Sequence, residues 1–281
     1  MYNFIKNLIV PRLAEPIISK KYKIKKFKNY QTKIKSNNKR KFYIINRKPS
    51  PSGFFSNFTF VLNHIKYALK KNYIPVVDMQ NFPTIYNEKR KIFDTYNSWE
   101  YYFNKISNHK LENVYKSNHL VFSSSEFLKN MELDLDKLKN DKTIKKILKK
   151  KIQLKKNHKL ELKGKVKNKF KNKKILGILV RGTIQKIVTN HQLPVTPLKL
   201  VNLVKNIYIK ERCEKIFVVT EDLDYLNILI KNFKKKIIYN KNYRSKVKFY
   251  ENHTGAFNVY PRKLHRYKLG KEILIDTLML A

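Results

Sequence analysis

Hydrophobic and polar positions follow each other along the chain in a pattern that predicts strands separated by helices. Residues 42–45 (FYII) form a short apolar run that is typical of a buried strand. After Ser52-Gly53, apolar residues recur at helical spacing from Phe54 to Leu69, which predicts a helix. Residues 75–78 (PVVD) form the next predicted strand, and it ends in the carboxylate of Asp78.

The second half repeats this order. An apolar strand is predicted over residues 175–180 (ILGILV), and a helix begins near Thr196-Pro197, with Thr at the N-cap and Pro at the first helical position. Residues 215–220 (KIFVVT) predict another strand, Glu221-Asp222 opens a further helix, and residues 237–239 (IIY) predict a last short strand. Strands that alternate with helices favour an α/β fold with parallel sheets.

A Lys-loaded stretch over residues 134–174 separates the two halves. Ile144, Leu148 and Ile152 place an apolar stripe at a spacing of four residues, which indicates an amphipathic helix. Such a helix fits two situations: packing against the core with a solvated basic face, or lying on an anionic membrane surface.

The charge balance is strongly basic. Lys and Arg number 63 against 20 Asp and Glu, which gives a formal charge of +43. An excess of this size points to nucleic acid, because Lys and Arg neutralise phosphates. The 63 comprise 54 Lys and only 9 Arg, however, and bidentate recognition depends on the guanidinium group. We therefore interpret the Lys excess mainly as a compositional drift of the whole chain. The chain is expected to fold, since 42% of its residues are hydrophobic.

Several classes of protein are disfavoured. Cys213 is the only cysteine, so neither an intrachain disulfide nor a Cys-based zinc site is expected. No apolar run is long enough to predict a transmembrane helix, and residues 1–18 lack the features of a secretory signal. We therefore expect a cytoplasmic protein, and peripheral association with the inner face of the membrane is compatible with this expectation.

Arg181 carries the clearest chemical signal. It comes directly after an apolar strand and is followed by Gly182 and Thr183. In an open α/β domain, this is where phosphates bind, and an arginine there can make a bidentate, charge-assisted contact. An arginine paired with a carboxylate at the end of a strand would give the same pattern.

Carboxylates offer weaker signals. Asp222 and Asp224 form a D-x-D pattern, which in some glycosyltransferases holds a divalent cation, but acids in the first turn of a helix explain it adequately and are favoured. Asp78 and Glu100 could each serve as a base or as a structural hydrogen-bond acceptor. No zinc-hydrolase spacing, Walker A or G-x-G-x-x-G motif occurs, and neither a metal nor a cofactor is predicted.

Several segments, taken in order over residues 42–281, resemble the bacterial glycosyltransferases that are similar to fucosyltransferases, which share features with the α-1,6- and O-fucosyltransferases. The segments are Gly53–Ser56 (GFFS), Ile74–Met79 (IPVVDM), Asn97–Phe103 (NSWEYYF), Ile175–Thr183 (ILGILVRGT), Asn190–Pro194 with Thr196-Pro197, and Lys215–Asp222 (KIFVVTED).

This resemblance implies a GT-B-like fold of two Rossmann-like lobes with mainly parallel sheets, the second lobe incomplete. A basic N-terminal extension would occupy residues 1–41, an acceptor-side lobe 42–165 and a donor-binding lobe 166–281. The implied activity is inverting transfer of a fucose-like sugar from a GDP-sugar to a glycan acceptor of a surface polysaccharide or lipopolysaccharide. No cofactor and no obligatory metal are implied.

The resemblance also assigns roles to residues. Arg181 would face the donor diphosphate and neutralise charge on the leaving group, and Gly182 and Thr183 would let the phosphates approach. Further residues expected at the site are Arg244 and Arg262 on the donor side, and Gly53, Trp99 and Asp78 on the acceptor side, with Asp78 as a catalytic candidate.

Two departures from the family pattern lead to alternatives. Ile184 stands where the family has a carboxylate, and the sequence stops within an apolar segment, Gly270–Ala281, that in the family leads into a further donor loop. A truncated and catalytically inactive relative is therefore an alternative prediction. A basic nucleic-acid-binding protein is a second alternative.

Overall fold

The computed structural model describes residues 41–47, 52–117, 119–123, 139–182, 194–246 and 262–281. The chain divides into two compact units, Met1–Lys155 and Lys156–Ala281. The boundary predicted between residues 165 and 166 falls inside a helix that belongs wholly to the second unit. The predicted extension, residues 1–41, lies outside the described residues except for Lys41.

The first unit contains a three-stranded parallel sheet in the order β2-β1-β3. Its elements are β1 (Phe42–Ile45), α1 (Phe54–Lys70), β2 (Ile74–Val77), α2 (Trp99–Tyr102), α3 (Leu111–Tyr115), β3 (Leu120–Phe122) and α4 (Lys142–Lys150).

The predicted strand at residues 42–45 is the central strand of this sheet, and all four of its side chains are buried. On one face, Phe42 and Ile44 pack with Val114 of α3. On the other, Tyr43 contacts His64 and Tyr67 of α1. A strand covered by helices on both faces has no polar side, which explains its uninterrupted apolar run.

The outer edge of β2 is covered by a side chain. The Asn97 amide Nδ2 donates a hydrogen bond to the Val77 carbonyl at 2.7 Å, and its Oδ1 accepts one from the Met79 N–H at 3.2 Å. Pro75, also in β2, has no N–H to offer at an edge. The aromatic segment that contains α2 is thus attached to the sheet through Asn97.

The second unit contains a parallel sheet in the order β4-β5-β6. Its elements are α5 (Lys156–Phe170), β4 (Ile175–Leu179), α6 (Pro197–Lys210), β5 (Lys215–Val219), α7 (Leu223–Phe233), a short 3-10 helix (Lys234–Lys236), β6 (Ile237–Ile238) and α8 (His265–Leu280).

The central strand β5 buries alternate side chains in two different cores. Ile216 and Val218 pack with residues of α6 and α7 on one face. Phe217 packs on the other face, with Ile275 and Met279 of α8 and with Phe170 of α5 at 5.3 Å between ring centroids. Because successive side chains of a strand point to opposite faces, this pattern makes a helix–sheet–helix arrangement. The predicted α/β class with parallel sheets is confirmed.

The Lys-loaded stretch contains the predicted amphipathic helix, but its buried face differs from the predicted one. Its described part forms two helices, α4 and α5, which fall in different units. In α4 the packing residues are Ile144 and Ile147, whereas Leu148 is 39% exposed, so the apolar stripe predicted at Leu148 was wrong. No helix in the described residues is long and apolar enough to cross a membrane.

Candidate functional site

The carboxyl edge of the second sheet collects most of the residues predicted for the donor site. Arg181 and Gly182 follow β4, Thr220–Asp222 follow β5, and residues 239–245 follow β6. In a parallel sheet these segments emerge at the same edge, which is where α/β proteins bind ligands.

Gly182 is held against Asp222 at van der Waals limits. Its N–H donates to Glu221 Oε1 at 3.0 Å. A Cβ at position 182 would lie 2.3 Å from Asp222 Oδ2 and 2.7 Å from Asp222 Cβ, distances too short for any side chain. Glycine is therefore required here by close packing.

Asp222 is fully buried and caps α7. Its Oδ1 accepts hydrogen bonds from the N–H groups of Asp224 (2.9 Å) and Tyr225 (3.2 Å). Helix capping thus accounts for the first acid of the D-x-D pattern. Within the described ranges, no group of three or more His, Cys, Asp or Glu side chains is arranged to hold a metal ion.

Ser245 joins the segment after β6 to the segment after β5. Its N–H donates to the Glu221 carbonyl at 3.2 Å, and its own carbonyl accepts from the Leu223 N–H at 3.0 Å. Glu221 therefore contacts Gly182 through its side chain and Ser245 through its backbone, so it ties all three segments together.

Arg181 lies at this edge with an exposed side chain. Its predicted neighbours Thr183 and Ile184, together with residues 190–193 of the resembling segment, lie outside the described residues. The structure thus places Arg181 at the carboxyl edge of the sheet, and the roles of Arg181, Gly182 and Thr183 toward a phosphate stay predictions.

The two other predicted arginines differ in their partners. Arg262 makes a bidentate ion pair with Glu272, with nitrogen–oxygen distances of 2.6 and 2.7 Å. Arg244 is half-buried, its Nη1 donates to the Asn242 carbonyl at 3.1 Å, and its guanidinium lies 5.4 Å from the Tyr239 ring centroid. Burial lowers the pKa of Arg244, while nearby Asp276 opposes that effect.

Sequence reasoning missed Asp276 of α8. This carboxylate is buried and accepts hydrogen bonds from the side-chain amides of Asn240 (2.6 Å) and Asn242 (2.7 Å). Burial raises its pKa, and the two amides partly offset the shift. A single acid inside the apolar run ILIDTL was the available signal, because a carboxylate is rarely buried without partners.

In the first unit, Asp78 directly follows β2 and is fully buried. Its carboxylate accepts hydrogen bonds from the N–H groups of Gln80 (3.1 Å) and Asn81 (2.9 Å), from Asn81 Nδ2 (2.8 Å) and from the Tyr115 hydroxyl. Burial raises the pKa of Asp78, against these hydrogen bonds, which lower it. So many donors favour a structural role, and its catalytic role stays a prediction.

Trp99 belongs to an aromatic cluster with Phe58 and Phe103, at 6.0 and 4.5 Å between ring centroids. The cluster borders a small cavity of ≈ 20 Å³. Gly53 is the N-cap residue of α1, and a Cβ there would meet no atom within 4 Å.

Glu100 accepts a hydrogen bond from Asn97 Nδ2 at 3.3 Å. Burial raises the pKa of Glu100, and the nearby charge of Lys105 opposes this shift.

The fold is that of a GT-B-like α/β protein, as comparison with solved structures shows. The fucosyltransferase NodZ from Bradyrhizobium aligns with a TM-score of 0.52 and 12% sequence identity, over 86% of this chain and 85% of that chain. Two structures of NodZ alpha-1,6-fucosyltransferase, one co-crystallized with GDP and one soaked with GDP-fucose, each align with a TM-score of 0.51 and 12% identity. The sequence matches no protein-family model and no curated protein.

At this identity the likeness establishes the fold, and it confirms the GT-B-like architecture expected from the sequence. The alignment extends over 85% of the neighbour's chain, and the expected truncation of the donor lobe stays a prediction.

Proposed function

We propose that this protein is a glycosyltransferase that transfers a fucose-like sugar from a GDP-sugar to a glycan acceptor with inversion. The observation that carries the proposal is the fixed Arg181-Gly182 backbone at the carboxyl edge of the second sheet, against Glu221 and Asp222. The GDP co-crystallized with the NodZ neighbour supports the choice of donor.

In the proposed reaction, an acceptor hydroxyl oxygen attacks the anomeric carbon on the side opposite the diphosphate. The bond between that carbon and the phosphate oxygen breaks, GDP leaves with the electron pair, and the hydroxyl proton passes to a base. Arg181 stabilises the negative charge that develops on the diphosphate, and such fixed charge is a large source of rate. The donor is a substrate, and the reaction as proposed uses no cofactor.

The test measures the binding of GDP and of GDP-fucose, by calorimetry and by thermal shift. We expect both ligands to bind the wild type and Arg181→Ala to weaken binding at least about tenfold, because one charge-assisted contact is lost. The matched control is Arg212→Ala, since Arg212 is exposed and precedes β5 at the opposite edge of the same sheet. Equal binding by wild type and Arg181→Ala would reject the proposed site.

The alternatives give different results. An inactive relative binds GDP-fucose but releases no GDP with any glycan acceptor. A nucleic-acid-binding protein does not bind GDP-sugars. It forms saturable complexes with nucleic acid, and their affinity falls steeply as the salt concentration rises.

We also propose that the acceptor is a surface polysaccharide or lipopolysaccharide glycan, reached at the cytoplasmic face of a membrane. The support is α4, which exposes Lys142, Lys145, Lys146, Lys149 and Lys150 on one helix. Such a face attracts anionic lipid. The test is sedimentation of the protein with vesicles that contain or lack an anionic lipid. If the protein sediments equally with both kinds of vesicle, or if the difference does not depend on salt, the proposal is rejected.

A further inference from the structure

We propose that Asp276 is a positioning residue that orients Arg244 as a second oxyanion ligand of the donor diphosphate. The inference rests on the proposed function, in which Arg244 was already expected on the donor side, and adds the buried carboxylate that holds this arginine in place.

Asp276 fixes the chain directly after β6. Only 5% of the residue is exposed, and its two carboxylate oxygens accept from the Asn240 and Asn242 amides at 2.6 and 2.7 Å. A buried carboxylate is costly unless hydrogen bonds compensate, so these two amides are held in one orientation. The Asn242 N–H also donates to the Asn240 carbonyl at 2.8 Å, which closes the turn.

Asn242 connects Asp276 to Arg244. Its side chain donates to Asp276, and its carbonyl accepts from Arg244 Nη1 at 3.1 Å. The guanidinium lies over the Tyr239 ring, 5.4 Å from the centroid. The turn therefore fixes one nitrogen of Arg244, and the Tyr239 ring packs against the group.

Within the described part of the chain, the other edge of the guanidinium has no acceptor. Among the described residues, neither Nε nor Nη2 of Arg244 has a hydrogen-bond partner, although both atoms are buried. These two nitrogens form an edge suited to bidentate contact with a carboxylate or phosphate. Arg262, by contrast, already spends its two terminal nitrogens on Glu272. Buried donors without acceptors are costly, and an oxyanion brought by a ligand would satisfy them.

The position of Arg244 fits this ligand. The next residue, Ser245, donates to the carbonyl of Glu221, and the Glu221 side chain accepts from Gly182, the residue after Arg181. Both arginines are thus adjacent to residues bonded to Glu221, at the carboxyl edge of one sheet. A diphosphate has two phosphate groups to pair with two such cations.

Calorimetric titration with inorganic pyrophosphate and with GDP tests the proposal on the full chain. The variants are Arg244→Ala, Arg244→Lys, Asp276→Asn and the Arg244→Ala/Asp276→Asn double variant. We expect Arg244→Ala and Asp276→Asn each to weaken pyrophosphate binding about tenfold, and Arg244→Lys to retain part of the affinity. If Asp276 acts through Arg244, the double variant binds no more weakly than Arg244→Ala alone.

The matched control is Glu161→Gln. It removes an ion pair between α5 and Lys271 of α8, 3.1 Å long, so it perturbs the same helix away from Arg244. We expect unchanged pyrophosphate affinity in this variant. Circular dichroism establishes that each variant is folded, and if Asp276→Asn does not fold, the comparison of Arg244→Ala with Arg244→Lys decides on the oxyanion contact.

Each outcome is decisive. Unchanged binding by Arg244→Ala overturns the inference while leaving the proposed function intact. Additive losses in the double variant overturn the positioning role of Asp276. A wild type that binds pyrophosphate through Arg244 but does not bind GDP supports the oxyanion site and rejects the proposed donor. A wild type that binds neither overturns both.

Discussion

Individual residues at the edge of the second sheet are constrained by contacts that leave no room for a side chain. Gly182 shows this most clearly, because the Asp222 carboxylate occupies the space where a Cβ would project. Gly164 is the opposite case, since it lies within α5 and a Cβ there would meet nothing within 4 Å.

These two glycines give a paired prediction. We expect Gly182→Ala to lower the free energy of unfolding by about 1–3 kcal/mol, because an added methyl group overpacks a tight site. We expect Gly164→Ala to raise it by about 0.5–1 kcal/mol, because alanine favours a helix interior. Urea unfolding of both variants measures this, and a Gly182→Ala variant as stable as wild type would contradict close packing of Gly182 against Asp222.

His64 gives a prediction about pH. It is fully buried in α1, with Nδ1 2.8 Å from the Tyr43 hydroxyl, and burial lowers its pKa from 6.5 to about 4. As pH falls below 6.5, the unfolded chain takes up a proton at His64 and the folded chain does not. Stability from this residue is therefore complete above pH 6.5 and lost between pH 6.5 and 4, by up to about 3 kcal/mol.

The measurement is the difference in unfolding free energy between wild type and His64→Gln across that pH range. The glutamine does not titrate and can still accept from Tyr43. We expect the two curves to converge as pH falls, whereas curves that remain parallel would show that His64 has the same pKa in the folded and the unfolded chain.

At the scale of elements, the sequence was informative where burial makes a simple pattern. The strand at residues 42–45 and the helix that begins at Phe54 were predicted to within a residue or two, because a doubly covered strand is wholly apolar and a packed helix is periodic. The Lys-loaded stretch was harder, since lysines recur both in the helices and in the short connection between α4 and α5 and so hide where one helix ends.

Some residues of the candidate site could likewise be predicted from the sequence, and others could not. Arg181 and Gly182 could be predicted because they directly follow an apolar strand, a local signal. Asn242 and Asp276 could not, because they are 34 residues apart and their hydrogen bond depends on how α8 packs on the sheet. Side chains that act through distant partners leave almost no mark on nearby sequence.

Helix α4 supports a prediction at this scale. Asp141 caps it by accepting from the N–H groups of Thr143 (2.8 Å) and Ile144 (3.0 Å), and it also pairs with Lys66 of α1. We expect Asp141→Ala to cost about 1 kcal/mol of stability, because the cap is lost. Asp141→Asn keeps a capping oxygen and should cost less than about 1 kcal/mol, since a partly exposed ion pair contributes little.

Urea unfolding of the two variants separates these contributions. Equal losses in Asp141→Ala and Asp141→Asn would show that the ion pair to Lys66, rather than the cap, is the stabilising interaction.

For the whole molecule, the dominant quantity is the formal charge of +43 on 281 residues. Few carboxylates are available to neutralise the lysines, so the folded chain holds many like charges close together. Self-repulsion of this kind destabilises a compact state and is screened by salt.

We therefore expect the melting temperature to rise by several degrees between about 20 and 300 mM sodium chloride, the range over which screening shortens below the spacing of surface charges. Differential scanning calorimetry measures it. Potassium chloride is the control and should act alike, because screening depends on ionic strength rather than on the cation. A melting temperature independent of salt would mean that repulsion among the lysines is negligible.

The Asn97 amide on the outer edge of β2 has a consequence for how the chain behaves among other copies of itself. A bare strand edge is a template on which a second chain can add a strand and begin to aggregate. Pro75 has no donor to offer there, and Asn97 occupies the Val77 carbonyl and the Met79 N–H. One amide and one proline thus block intermolecular strand addition along β2, a protection that the folded first unit carries within its own sequence.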